Sequence, residues 1–195
     1  VLVVSAPSGV ELNTLRTWNA ARKAGLAGLV VINKMDGENI QIDSLIGAVK
    51  EAVGVSCVPF NLPIGQGVGF KGVFDLFAGG QAPAGVIGDP SSAHEEAMEA
   101  VVESDDALLE KYLEQGSVEP AELAATLSKA VASGALVPMF FAAGRADAGV
   151  EDIMNILVQI APSPVSRTRK AMKGDAEVAV AADPKAPFAS FIFKS

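Results

Sequence analysis

Apolar residues along this chain fall into two alternating textures, short unbroken runs and segments in which they recur every three to four positions. Val1 to Val4 and Leu29 to Ile32 are unbroken runs, which predict short strands buried on both faces. Between them a helix is predicted from about Asn13 to Ala24, stopped by Gly25 where a left-handed cap belongs. Leu45, Ile46, Val49 and Val53 then recur at helical spacing and end at Gly54, predicting a second helix. Strand, helix, strand, helix with continuously apolar strands is the pattern of a parallel α/β sheet.

The texture changes at Val55. VSCVPFNLPIG and FKGVFDLF are β-like segments separated by the glycine-rich GQGVG, and GGQAPAGVIGDP follows as a long loop. A helical block with an acidic outer face is predicted from about Ser92 to Glu114, and a further helix from Pro120 to Gly134. No internal repeat is present. Residues 55–135 therefore read as an α+β insertion into the sheet. The parent pattern resumes with ALVPMFFAAG as a buried strand and VEDIMNILVQI as an amphipathic helix, with Ile153, Ile156, Leu157 and Ile160 on one face. Pro162 and Pro164 end that helix. Residues 162–185 are expected to be a solvated linker carrying the basic cluster Arg167, Arg169, Lys170 and Lys173, and residues 186–195 to open a β domain. The start inside VLVVSA, without methionine, and the finish at PFASFIFKS, without a turn, lead us to expect a longer protein on both sides.

Composition narrows the function. Half of the 195 residues are apolar and 19% are charged, enough for a sizeable core. The formal net charge of −8 argues against holding nucleic acid by general electrostatics, and the apolar runs are far too short to span a membrane. The one cysteine, Cys57, and the one histidine, His94, exclude a disulfide and a Cys/His zinc cluster within the chain and fit a reducing compartment. Cys57 reads as a small core residue. His94 reads as an exposed first-turn residue behind a capping box formed by Ser92 and Glu95, with no catalytic role.

The candidate chemistry lies in Asn33-Lys34-Met35-Asp36, which follows a buried strand and precedes a helix. Ligands of open α/β sheets bind at the carboxyl ends of the strands. These side chains suit guanine. A carboxylate only accepts hydrogen bonds, and the guanine edge offers two adjacent donors, N1–H and the exocyclic amino group, which Asp36 can take together. Adenine, with an acceptor at N1 and no 2-amino group, would leave that carboxylate unpaired. Asn33 can serve the base's acceptors and tie the loop to its neighbours. The stem of Lys34 can lie along the flat face of the base, and Met35 would point into the core.

NKMD is the guanine-specificity motif of the translational GTPases, and the chain resembles elongation factor G in order along almost its whole length. The resemblance is carried by SGVELNTLRTWNAARKAGLAGLVVINKMD, PIGQGVGFKGVFDLF, DALLEKYLE, GALVPMFFAAGRADAGVEDIMNILVQIAPSP and KAPFASFIFK. It implies that residues 1–54 and 136–161 are the second half of a P-loop GTPase-type domain, that residues 55–135 are an accessory subdomain, and that residues 186–195 begin a β-barrel. It further implies a cytoplasmic GTPase that binds GTP or GDP and helps tRNA and mRNA move through the ribosome, its subdomain touching the ribosomal stalk protein.

Two departures from the family bear on function. Where the family has a Ser-Ala pair in its second base-contacting loop, this chain has Ala143-Gly144; the hydroxyl is lost, while the Gly144 N–H still suits the guanine carbonyl. Arg145 stands near the place of a missing basic residue. No G-x-x-x-x-G-K-[ST] occurs and the switch histidine is absent, so phosphate binding, Mg²⁺ and hydrolysis are expected only with a preceding segment. Open alternatives are a divergent or decayed paralogue acting as a stalk-binding module, and a ribosome-protection or release-factor GTPase.

Overall fold

The computed structural model describes residues 1–54, 56–163, 165, 169–180, 182–183 and 185–186. In chain order its first unit, Val1–Ala161, contains β1 (Leu2–Ser5), α1 (Leu12–Lys23), β2 (Val30–Asn33), α2 (Ile42–Val53), β3 (Cys57–Pro59), β4 (Asn61–Ile64), β5 (Gly72–Asp75), α3 (Pro90–Val102), α4 (Asp106–Gln115), α5 (Pro120–Ser133), β6 (Val137–Phe141) and α6 (Val150–Ile160). Four strands form a parallel sheet in the order β1-β2-β6-β3, with Val4 opposite Ile32, Ile32 opposite Phe141 and Cys57 opposite Val137.

The unbroken apolar runs follow from a sheet covered on both faces. Alternate residues of one strand enter different cores because successive side chains point to opposite sides. Val30 and Ile32 pack with Met139, Phe141, Trp18 of α1 and Leu45 and Val49 of α2. Leu29 and Val31 pack with Phe140, Val101 of α3, Leu127 of α5 and Ile160 of α6. The result is an α/β architecture with a parallel central sheet, as the sequence predicts. Two helices of the expected insertion, α3 and α5, build one of its outer layers, and β3 extends its edge, so the sheet runs across the boundary expected near residue 55.

Several local expectations are corrected. The first strand is not wholly buried: Val4 is, but Val1 and Val3 are exposed, because β1 lies at the sheet edge where no described helix covers the second face. The block expected over residues 92–114 is two helices. Asp89, not Ser92, caps α3, accepting the Ser91 N–H at 3.1 Å, because Pro90 with its fixed φ suits the first helical position. Asp105 opens α4 by accepting from Ala107 and Leu108. His94 is half-buried rather than exposed: its Nδ1 lies 2.9 Å from the Leu76 carbonyl and its ring 5.2 Å from that of Phe77.

In the second unit, the stretch expected to be linker contains an antiparallel hairpin, β7 (Arg169–Lys173) and β8 (Ala176–Val180). Gly174 and Asp175 form its two-residue turn, with Gly174 at φ 62°, and Lys170 pairs with Glu177. Short side chains and lysines give that segment little apolar alternation. Arg167, and residues 187–195 of the expected β-barrel strand, lie outside the described residues.

Candidate nucleotide-base site

At the carboxyl end of β2 the chain turns abruptly. Lys34 adopts a left-handed conformation, φ 66°, uncommon for a residue with a side chain. One reversal sorts the next side chains: Met35 is fully buried in the core, while Lys34 and Asp36 are exposed and Asn33 is half-buried. The Gly37 N–H closes the turn on the Lys34 carbonyl at 2.9 Å. Glycine is required there by space. A Cβ at position 37 would lie 2.6 Å from Pro7 Cγ and 3.0 Å from the Lys34 oxygen.

Neighbouring segments hold the turn from several sides. The Asn33 carbonyl accepts the Ala6 N–H at 2.8 Å, just beyond β1. The Met35 N–H donates to the Ala142 carbonyl at 3.1 Å, and Ala142 in turn donates to Ile32 at 2.9 Å. The Met35 carbonyl accepts the Gly67 N–H, at the tip of the β4–β5 hairpin, at 2.8 Å. The loop after β6 completes the constellation: Asn33 Oδ1 accepts the Gly144 N–H at 2.9 Å.

The structure therefore brings Asn33 and Gly144 together, and the donor anticipated for a base carbonyl is directed at the Asn33 amide. Ala143 is fully buried and exchanges hydrogen bonds with Ala148, its N–H donating at 2.9 Å and its carbonyl accepting at 3.2 Å. Gly149, at φ 74°, admits no side chain because a Cβ would lie 2.7 Å from the Phe141 carbonyl oxygen. Gly144 is different. A Cβ there would meet Asn33 Oδ1 at 3.5 Å, ordinary contact.

Asn61 is not singled out by its sequence context. Strand β3 ends at Pro59, and the Phe60 N–H makes one more bond to the Met139 carbonyl at 2.9 Å before the chain departs. The buried Asn61 amide then continues the ladder: its Oδ1 accepts the Phe141 N–H at 2.7 Å and its Nδ2 donates to the Phe141 carbonyl at 3.2 Å. A primary amide is a peptide-group surrogate, and this one finishes the edge of β6 just before Ala143-Gly144.

A cavity of about 520 Å³ lies elsewhere, between Phe60, Phe77, His94, Leu127, Asp152 and Ile156. Burial pushes the Asp152 carboxyl above its ordinary value, and Asp75 and Glu151 add to the rise. A smaller cavity of about 400 Å³ runs between residues 37–40 and 66–69, beside the Asn33–Asp36 turn. Among the described residues no group of three or more His, Cys, Asp or Glu side chains is placed to hold a metal ion.

The sequence model of the elongation factor Tu GTP binding domain matches residues 1–163. Among solved structures, the crystal structure of ttk003000868 from Thermus thermophilus is similar, with 30% identity and a TM-score of 0.73 over 84% of this chain. The match spans 26% of the length of that protein.

Proposed function

The chain belongs to the elongation factor Tu GTP binding domain family, the translational GTPases, and from that premise we propose that it carries the guanine-reading part of a translation factor resembling elongation factor G. Asp36 accepts the N1–H and 2-amino donors of the base of GTP or GDP. Lys34 lays its stem on the base face. Asn33, whose Oδ1 is engaged by Gly144, keeps its Nδ2 donors for an acceptor on the base. Ala143 supports this second loop from inside the fold. The observation that carries the reading is the left-handed turn at Lys34, which buries Met35 and leaves Lys34 and Asp36 open at the strand end where α/β sheets bind ligands.

The nucleotide supplies a phosphoryl group for hydrolysis; the residues here bind and orient its base. No phosphate loop occurs in the sequence, so this chain alone is expected to leave GTP intact, with Mg²⁺ and hydrolysis belonging to a preceding segment. In the full-length protein we assign GTP hydrolysis to the movement of tRNA and mRNA on the ribosome in the cytoplasm, with residues 55–135 meeting the stalk protein. No helix among the described residues is long and apolar enough to cross a membrane.

The test is calorimetric titration of GDP, ADP and xanthosine diphosphate into the full-length protein and its Asp36→Asn variant. Wild type is expected to bind GDP and reject the others, and Asp36→Asn to exchange guanine for xanthine, because an amide donor meets the xanthine carbonyl where the carboxylate met the amino group. Sites built around such donors and acceptors discriminate by roughly 10⁴. A wild type that binds no nucleotide refutes this reading and favours a decayed, stalk-docking paralogue, to which the absence of a hydroxyl at buried Ala143 points.

A further inference from the structure

The loop joining β4 to β5 is built to touch the base-reading turn. Its own hydrogen bonds make it stiff: the Gly69 N–H donates to Gln66 at 3.0 Å, Phe70 to Gly67 at 3.0 Å and Lys71 to Ile64 at 2.8 Å. Gly65 admits no side chain, since a Cβ would lie 2.1 Å from the Gly69 carbonyl oxygen. Phe70 packs against the core cluster that contains Met35 and Ile40. Gly67 sits at the tip with φ 59°, its N–H on the Met35 carbonyl at 2.8 Å, and a Cβ there would press to 3.1 Å on the Gly37 carbonyl oxygen.

The Met35 carbonyl belongs to the peptide unit on which Asp36 is mounted. That peptide is rigid and planar, so holding its oxygen constrains where the Asp36 Cα and carboxylate stand. Met35 is thus gripped on both backbone groups, its N–H by Ala142 of the parent domain and its carbonyl by Gly67. We propose that Gly67 is a positioning residue for base specificity, setting the placement of Asp36 through the Met35 peptide and thereby coupling the β4–β5 hairpin to guanine affinity. This rests on the assignment of Asp36 as the base reader.

The test compares GDP with inosine diphosphate, which lacks the 2-amino group and so offers Asp36 one donor instead of two. Calorimetry on the full-length protein is expected to show wild type preferring GDP. Gly67→Ala, strained at its φ and tight against Gly37, should weaken GDP roughly tenfold, the scale of one hydrogen bond, and shrink the GDP preference. Val68→Ala, at a fully exposed side chain, should leave both affinities unchanged. Equal losses for the two nucleotides in Gly67→Ala, or none, overturn the inference while leaving Asp36 as the reader. A wild type without GDP preference overturns the reader assignment and this inference with it. Amide exchange of Gly67 in wild type decides the matter where the variant does not fold: GDP should slow it more than inosine diphosphate does, and equal slowing overturns the proposal.

Discussion

Replacing Asn61 with alanine removes the side chain that completes the β6 ladder, and the cost can be worked from the contacts. Asn61 is 1% exposed, and its amide serves both the N–H and the carbonyl of Phe141, itself fully buried. Truncation strands two buried backbone groups, each worth about 1–3 kcal/mol when left unsatisfied. Entry of a water into the vacated space favours the lower half of the sum, about 2–4 kcal/mol. For a unit the size of Val1–Ala161 this corresponds to a fall in Tm of roughly 5–15 °C. Thermal and urea unfolding followed by circular dichroism would read it. Asn61→Asp is a sharper control. The carboxylate accepts from the Phe141 N–H but faces the Phe141 carbonyl without a donor, so burial raises its folded pKa. A raised acid favours the fold at low pH and loses that contribution as pH rises through the folded value; the variant should therefore recover stability on acidification, when its O–H becomes a donor. A Tm for Asn61→Ala within about 2 °C of wild type would refute the claim that the amide acts as a missing strand residue.

Two other perturbations test the cores and the cavity. Cys57 is fully buried, and burial chiefly pushes its thiol up to about 12, Lys50 opposing and Glu96 adding to the rise. Iodoacetamide at pH 8 should leave it intact in the native protein and alkylate it in urea; native labelling at the unfolded rate would contradict the packing. Asp75→Asn keeps the Oδ1 that accepts the Phe77 N–H at 2.7 Å but removes a charge facing Asp152. The Asp152 midpoint, followed by NMR, should fall part of the way to its ordinary value, because burial remains the larger cause. Its raised folded value means a contribution present below the unfolded midpoint and lost as pH rises through the folded one. Relief by Asp75→Asn should thus raise Tm more at neutral than at acid pH, and an unmoved midpoint would rule out the interaction.

The parallel sheet is legible because unbroken runs such as Leu29 to Ile32 admit few alternatives, and the candidate turn at Asn33–Asp36 stands out because polar residues interrupt such a run at a strand end. What escapes is long-range. Asn61 looks like any polar residue in a β-like segment until Phe141, 80 positions away, is set beside it. The Asn33–Gly144 bond joins residues 111 apart, so no local pattern could assign the Gly144 N–H to the amide. His94 departs from its expected exposure for the same reason, its partner being the Leu76 carbonyl. The hairpin over residues 169–180 is hidden on other grounds: its Gly174-Asp175 turn suits a hairpin, but the strands beside it alternate weakly.

The turn after β2 must be imposed rather than chosen by its own residues. A left-handed lysine costs about 1–2 kcal/mol, and exposed Lys34 and Asp36 contribute no packing to offset it. The bonds from Ala6, Met35, Gly37, Gly67 and Gly144 each contribute about 0.5–1.5 kcal/mol, enough together to exceed that cost without any ligand. On the proposed role of Asp36, a loop already held in this shape loses little conformational freedom when a base arrives, so more of the hydrogen-bond energy appears as affinity. The same logic explains the distribution of supports. Those from Ala6, Met35–Ala142 and Gly144 belong to the parent sheet and its loops, whereas Gly67 comes from the hairpin that Asn61 fastens to the end of β6. Asn61 and Gly67 thus sit at the two ends of β4 and its loop, one anchoring the hairpin to the strand that carries Ala143-Gly144, the other delivering it to the turn that carries Asp36. A hairpin fastened to the end of β6 at one end and to the Asn33–Asp36 turn at the other fixes the spacing between that turn and the end of β6.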